Sequence, residues 1–310
     1  MKYALINGIL LDGTEAMQPR PGLSILVNGD RIEALVPAGD EGAGYEKIDL
    51  SGGYVMPGLI NLHVHLPASG RPTVKQKDTK KIVRLMTSNA LLRAITFRVC
   101  AGYAKTELLS GVTTLRSVGG IQAVDSYLRD KILSGKAVGP RILAGNMAVS
   151  VPGGHMAGSL PYAMFDRSVT GASETEQYNG KLVMDGIIAC AKACLKNGIP
   201  VGLGTDTGCP YITHYDMWRE VYYFHKLCNV SNAFALHTAT LGNARLVGLG
   251  EETGSLEPGK CADLVVTGEN PLEDLKALRH MDLVMARGNL YRSPKVKKME
   301  KAERELDKFL

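Results

Sequence analysis

The sequence predicts an α/β fold, with parallel β/α units through the middle of the chain and a small β-domain assembled from both ends. Three observations carry this. Residues 1–55 and 256–292 read as short strands and tight turns. The stretch between them alternates β-branched strands with apolar helices. Polar and titratable residues stand directly after the central strands, as at the active end of a β/α barrel.

The elements follow in order. "YALING" and "ILLDG" flank Asn7-Gly8, a hairpin-turn dipeptide, so two strands are expected there. "LSILVNGDRIEALV" repeats the scheme around Asn28-Gly29-Asp30. "YVMPGLINLHVH" reads as a strand interrupted at Pro57-Gly58, and Thr79 to Ser110 as helical, stopped by Gly111. "VTTLRSVGG" is a strand ending in a glycine pair. Ile121, Val124, Leu128 and Ile132 then fall on one helical stripe, with Gly135 as its stop. "PRILAGNMAVS" is a strand leading into the loop "VPGGHM". "KLVMDGIIACAKACLKNG" is an apolar helix stopped by Asn197-Gly198, on which Cys190 and Cys194 read as buried thiols. "IPVGLGTD" is a short buried strand. Two helices follow, one around Trp218 and one N-capped by Ser231 or Asn232. "ADLVV" and "DLVMARGNLY" close the pattern as a strand and a strand–turn–strand.

Composition bounds the function. With 45% hydrophobic and 22% charged residues in 310, the chain is expected to fold around a core. The formal charge of +5 is partly local: Arg287, Arg292, Lys295, Lys297, Lys298 and Lys301 crowd the C-terminal end. Residues 293–310 therefore read as a solvated basic tail and helix, and no nucleic-acid recognition motif accompanies them. The N-terminal apolar run is broken at Asn7-Gly8, unlike a signal peptide, and no window reaches the roughly 20 apolar residues of a membrane span. Six cysteines without a Cys-x-x-Cys pair suit the reducing cytoplasm. A cytoplasmic protein with no membrane and no nucleic-acid partner is expected.

The chemistry centres on His63 and His65, two of only seven histidines. Side chains alternate along a strand, so a His-x-His pair turns both imidazoles to one side and makes half of a metal site. Asp206, after "IPVGL", either caps the next segment or handles protons. His155, in a glycine-rich loop, is open as ligand, substrate contact or surface residue. His237 reads as packed core, and His214 and His225 as surface or core. The glycines at 118–120 and 152–154 read as turns, since neither loop has a phosphate-binding pattern. A metal on imidazole and oxygen ligands would lower the pKa of a bound water toward ~7, and a carboxylate within reach would serve as base.

"MPGLINLHVH" resembles the "PGxID-x-H-x-H" signature of the amidohydrolase superfamily. "GVTTLRSVGG", "GTDTG", "TGSLEPGKCADLVV" and "NPLEDL … VMARGNLY" follow in that superfamily's order, so the resemblance runs from residue 1 to about 292. The Gly-Gly-His loop at 153–155 is similar to the branch of imidazolonepropionases and Xaa-Pro/Xaa-Arg dipeptidases. The resemblance implies a metal-dependent hydrolase (TIM-type β/α) barrel over 56–255 plus a small β-sandwich formed by both chain ends, 1–55 and 256–292. It implies a divalent metal, commonly zinc, and a small-molecule substrate that is an amide, an N-acyl amino acid or dipeptide-like. Carried over by motif, His63 and His65 are first-strand metal ligands. Asp206 is the last-strand aspartate, which ligates the metal and passes a proton from the attacking water to the leaving group. His155 is a substrate or supporting histidine beside the metal.

The implied barrel is incomplete. Four stretches, 56–65, 112–117, 141–149 and 199–206, resemble its first, second, third and eighth strands. The part that carries the superfamily's bridging lysine and two further histidines has no counterpart, and Lys181 and Lys192 lie on a helix instead. Open sheet edges favour self-association, so a homo-oligomer is an expectation. Three readings stand at this stage: a hydrolase of carbon–nitrogen bonds, a catalytically impaired remnant that binds or scaffolds, and a lactone or phosphotriester hydrolase. Residues 67–110 are expected over the site mouth, with Arg84, Arg93 and Arg98 pairing with surface acids or a substrate carboxylate.

Overall fold

A computed structural model describes residues 1–72, 79–146 and 174–310. From the N-terminus run β1 (Lys2–Leu10), β2 (Arg20–Asn28), β3 (Arg31–Pro37), β4 (Glu46–Asp49), β5 (Tyr54–Pro57) and β6 (Leu59–Val64). Helices α1 (Thr79–Thr87) and α2 (Ala90–Leu109) lead to β7 (Val112–Ser117), α3 (Val124–Leu133) and β8 (Arg141–Ala144). Then come α4 (Glu174–Lys196), α5 (Met217–Cys228), α6 (Asn232–His237), a π-turn at Thr238–Gly242 and α7 (Asn243–Leu246). β9 (Leu264–Thr267), β10 (Leu283–Ala286), β11 (Asn289–Arg292) and α8 (Glu300–Leu306) finish the chain.

Both chain ends share one mixed sheet, in the order β11-β10-β9-β5-β1-β2-β3 with β4 paired to β1. Tyr3, Leu5, Val27 and Ile32 bury in the same core as Leu264, Val266, Leu283 and Met285, so the two arms of the sheet close on one another. The amides of Ile32 and Ala262 complete the closure, donating to the carbonyls of Lys260 and Asp30 at 2.9 and 2.8 Å. The expected turn at Gly29-Asp30 joins β2 to β3. The expected hairpin at Asn7-Gly8 is not formed. β1 runs straight through it, with Asn7 at φ 57° and the register to β2 slipping between Leu5 and Gly8. Flanked by β2 and β4, the strand absorbs the turn dipeptide as a bulge.

Glu41 ties down one edge of this sheet. It accepts from Gly39 N, Ser24 Oγ and Lys47 Nζ at 2.8, 2.7 and 2.9 Å. The Gly39 amide, then Lys47 and Ser24, hold its carboxyl down to about 2, against 4.5 for a free glutamate. The stabilisation is present above 4.5 and is lost as pH falls from there toward 2. Glu41→Gln is expected to flatten the acid limb of a curve of melting temperature against pH. An acid limb identical to the wild type would contradict this role.

The second sheet is parallel, β6-β7-β8, with α2 and α3 as its crossovers. Leu59, Val64, Val112, Leu115 and Ile142 meet Leu108, Leu128 and Ile132 from the helices in one core. The expected last strand, 199–206, is not a regular strand. Residues 203–207 lie along β6 through Leu62 N to Leu203 O, Asp206 N to His63 O and His65 N to Thr207 O, at 3.1, 3.0 and 2.8 Å. Asp206 is the reason the run breaks: its φ of 58° is left-handed. Among the described residues, three strands and one irregular segment do not close a cylinder, so the (β/α) barrel is incomplete. Of the stretch 141–149, residues beyond 146 lie outside the described part.

Three further expectations are corrected. Cys190 is exposed and Cys194 half-buried, because α4 presents most of its length to solvent, Leu182 and Ile187 included. The C-terminal helix is docked rather than a solvated basic tail. Its Ala302 and Leu306 pack on Tyr211, and its carboxylates, not its lysines, hold it down. Arg219 reaches Asp307 and Glu303 at 2.7 and 3.3 Å, and Arg279 reaches Glu303 and Asp307 at 2.7 and 2.8 Å. Arg93 and Arg98 pair with no carboxylate among the described residues. They line a cavity of about 820 Å³ with Phe97 and Tyr127, between α2 and α3. Among the described residues no helix is long and apolar enough to cross a membrane.

Candidate metal centre

Strand β6 sets the site. Asn61, His63 and His65 follow its period of two and share one side, while Ile60 and Leu62 on the other side pack against Ala244 of α7. The carboxyl end of β6 thus delivers two imidazoles, with ring centroids 5.2 Å apart. The 203–207 segment brings the third donor. Gly204 and Gly208 permit its approach: a Cβ on Gly204 would stand 2.7 Å from His63 N, and one on Gly208 2.9 Å from His65 O. The left-handed turn at Asp206 then aims its carboxylate at the histidines. Aspartate tolerates that backbone better than most residues, and such departures cluster at functional sites.

The Nε2 atoms of His63 and His65 lie 3.3 and 2.9 Å from the same oxygen, Asp206 Oδ1. Both nitrogens are buried and neither makes a hydrogen bond there. Convergence without a hydrogen bond is the arrangement of lone pairs around a cation. One donor atom from each residue lies within 4.8 Å of the others. Two imidazole nitrogens and a carboxylate oxygen at such spacing fit a divalent metal of the zinc type. Asp206 Oδ2 accepts from Cys209 Sγ at 3.4 Å. His155 lies outside the described residues.

Of the other histidines, His237 is buried and its Nδ1 meets Gly13 O at 2.8 Å, in keeping with a core role. His225 Nδ1 bonds Val230 O at 2.6 Å. His214 is buried more purposefully than its local sequence suggests. Its Nε2 meets Ala68 O at 2.8 Å, its Nδ1 meets Glu107 Oε1 at 3.1 Å, and its ring stacks on Tyr103 at 4.4 Å. Glu107 in turn accepts from Asn61 Nδ2 at 3.3 Å.

Two more carboxylates surround the site that sequence reasoning missed. Asp125 is fully buried in the first turn of α3, where Ser117 Oγ at the end of β7 donates to it at 2.7 Å. Burial pushes its carboxyl up, and the Ser117 bond and the Asn146 amide oppose the shift. Glu220, on α5, shows only part of its surface to solvent. Burial first, and then the charge of Asp206, push its carboxyl up to about 7. Neither carries a motif. The signal that could have been read was Asn61, which stands where the signature has aspartate.

The sequence profile of the Amidohydrolase family matches residues 179–291. An imidazolonepropionase of Thermoplasma acidophilum is 22% identical, over 86% of this chain and 88% of that protein. That alignment runs over 365 positions, more than the 310 residues here, so internal stretches of the relative have no counterpart. A crystal structure from Bifidobacterium longum, described as a candidate prolidase, superposes with a TM-score of 0.86 at 25% identity, covering 99% of this chain and 98% of that one. A Xaa-Pro dipeptidase structure with methionine in its active site superposes with a TM-score of 0.75 at 20% identity, covering 94% and 100%. The fold, the ordered motifs and the His-x-His–Asp cluster agree: the chain is similar to the amidohydrolases, and within them to imidazolonepropionases in sequence and to prolidase-type structures in fold.

Proposed function

We propose that the chain is a metal-dependent hydrolase of carbon–nitrogen bonds in small amide, N-acyl amino acid or dipeptide-like substrates. The observation that carries this is the meeting of His63 Nε2 and His65 Nε2 at Asp206 Oδ1. These three would hold one divalent ion, zinc being a natural guest of such donors. Three protein donors with one open position is the pattern of a catalytic rather than a closed structural zinc site. When bound, the ion supplies an activated water and polarises the scissile carbonyl. His63 and His65 hold their donors on one strand face, fixed by the β6 backbone. Asp206 is the proton carrier: its carboxylate accepts a proton from the attacking water and delivers it to the leaving amine. His155 would orient the substrate.

The test is a panel of Xaa-Pro and other dipeptides, N-acyl amino acids, imidazolonepropionate, lactones and organophosphates, each offered to protein supplemented with zinc. Amine release from at least one carbon–nitrogen substrate is expected. Turnover confined to lactones or phosphotriesters would move the assignment to ester chemistry. One observation favours a second reading, a remnant that binds without hydrolysing: the relative's internal stretches lack counterparts here. No turnover of any substrate by metal-loaded protein would select that reading.

A further inference from the structure

We propose that Asn61, backed by Glu107 and His214, is a positioning residue that fixes the distance between the His63/His65 pair and Asp206, and that an amide is required there because Glu107 lies beside it. The inference rests on the metal reading of the same site. It starts from the absence of a regular strand at 203–207. In a closed sheet the backbone ladder would set the register of Asp206 against the histidines. Here side chains take over part of that task. Thr205 N donates to Asn61 Oδ1 at 3.1 Å, and Asn61 Nδ2 donates to Thr205 Oγ1 at 2.9 Å. Asn61 Oδ1 also accepts from His63 N at 3.3 Å. One amide therefore grips the residue before Asp206 and the backbone of His63 at once.

The orientation of that amide is determined by its partners. Two backbone N–H groups converge on Oδ1, so the other end must be the NH₂ group. That end faces Glu107 Oε2 at 3.3 Å. Glu107 is fully buried, and its second oxygen is held by His214. Ala68 O can only accept, so His214 Nε2 carries a hydrogen and the ring is locked by both nitrogens. The chain Ala68–His214–Glu107–Asn61–Thr205 thus runs as one buried line from α2 and the loop before α5 to the donor set. Aspartate at position 61 would place two carboxylates side by side in this interior, and like charges at that spacing repel strongly.

The experiment is a cobalt(II) titration of the full chain, read by visible absorption and by competition with a chelator. It compares wild type, Asn61→Asp, Glu107→Gln and the double variant. Asn61→Asp is expected to bind cobalt about 10- to 100-fold more weakly, the range for groups that orient metal ligands, with an altered ligand-field spectrum. The double variant is expected to regain most of the affinity and the wild-type spectrum, because the glutamine amide can donate to the new carboxylate. Asn243→Asp serves as the structural control. Asn243 holds Leu203 by its backbone at 2.9 Å on both sides, so its change is expected to lower the melting temperature without rescue by Glu107→Gln. Should Asn61→Asp fail to fold, Asn61→Ala removes both Thr205 bonds without adding charge and is expected to weaken cobalt binding about 10-fold. Wild-type affinity and spectrum in the folded Asn61 variant, or a double variant no better than the single one, would overturn the positioning role. A wild type that takes up no cobalt would instead overturn the metal reading, and the inference with it.

Discussion

His65→Ala is expected to hold a divalent metal at least about 100-fold more weakly than the wild type and to lose carbon–nitrogen hydrolysis with it. The factor is a lower bound, since groups that merely orient a ligand are already worth about 10- to 100-fold. The His65 imidazole is largely sheltered, its Nε2 stands 2.9 Å from Asp206 Oδ1, and no other described histidine can replace it. His214 and His237 are committed to Ala68, Glu107 and Gly13. Asp206→Asn keeps the shape of the side chain and removes its charge, so it is expected to weaken binding less than His65→Ala while losing hydrolysis as fully. His225→Ala, which removes only a bond to Val230 O, is expected to leave metal binding unchanged. A chelator competition on the four proteins distinguishes them. Equal affinity in His65→Ala and the wild type would remove His65 from the site.

Arg219→Ala is expected to cost about 3–5 kcal/mol, the range for breaking a buried ion pair from one side. Arg219 is 3% exposed and its guanidinium serves three carboxylates, Asp216, Glu303 and Asp307. It also lies over the Trp218 ring at 4.4 Å, with Arg279 at 5.3 Å from the same ring. Without it, Asp216, already pushed up to about 6 by burial and held from rising further chiefly by Arg219, would be stranded beside Glu303. A fall in melting temperature of roughly 10 °C is expected, with α8 the first element to lose protection from hydrogen exchange. Lysine would not restore it, because one ammonium cannot match a planar fork with several partners. A melting temperature within about 2 °C of the wild type would show that the C-terminal helix is held by its apolar contacts instead.

Much of this architecture was legible in the sequence wherever the signal was local. The alternation in "GLINLHVH" put His63 and His65 on one face, and β-branched runs marked β6, β7 and β9. Other features depended on distant partners. Asn7-Gly8 has the chemistry of a turn, but two neighbouring strands hold it straight. The stretch 199–206 has the composition of a strand, but Gly204 and the left-handed Asp206 trade strand regularity for a closer approach to β6. His214 lies in a neutral-looking helix approach, and its partners Glu107 and Ala68 are more than a hundred residues away in sequence. Cys190 reads as buried because its helix is apolar, yet the strands such a helix would cover are not among the described residues. The charged C-terminal end reads as basic and solvated from its lysines, while its anchor is Glu303 and Asp307.

The central claim is that His63, His65 and Asp206 still hold a working metal. Elemental mass spectrometry of freshly purified wild-type protein, expressed as metal per chain, tests it most directly. About one equivalent of a divalent ion, zinc foremost, is the predicted result. Protein that is folded by circular dichroism yet carries almost no metal, and takes none up on dialysis against zinc, would contradict it.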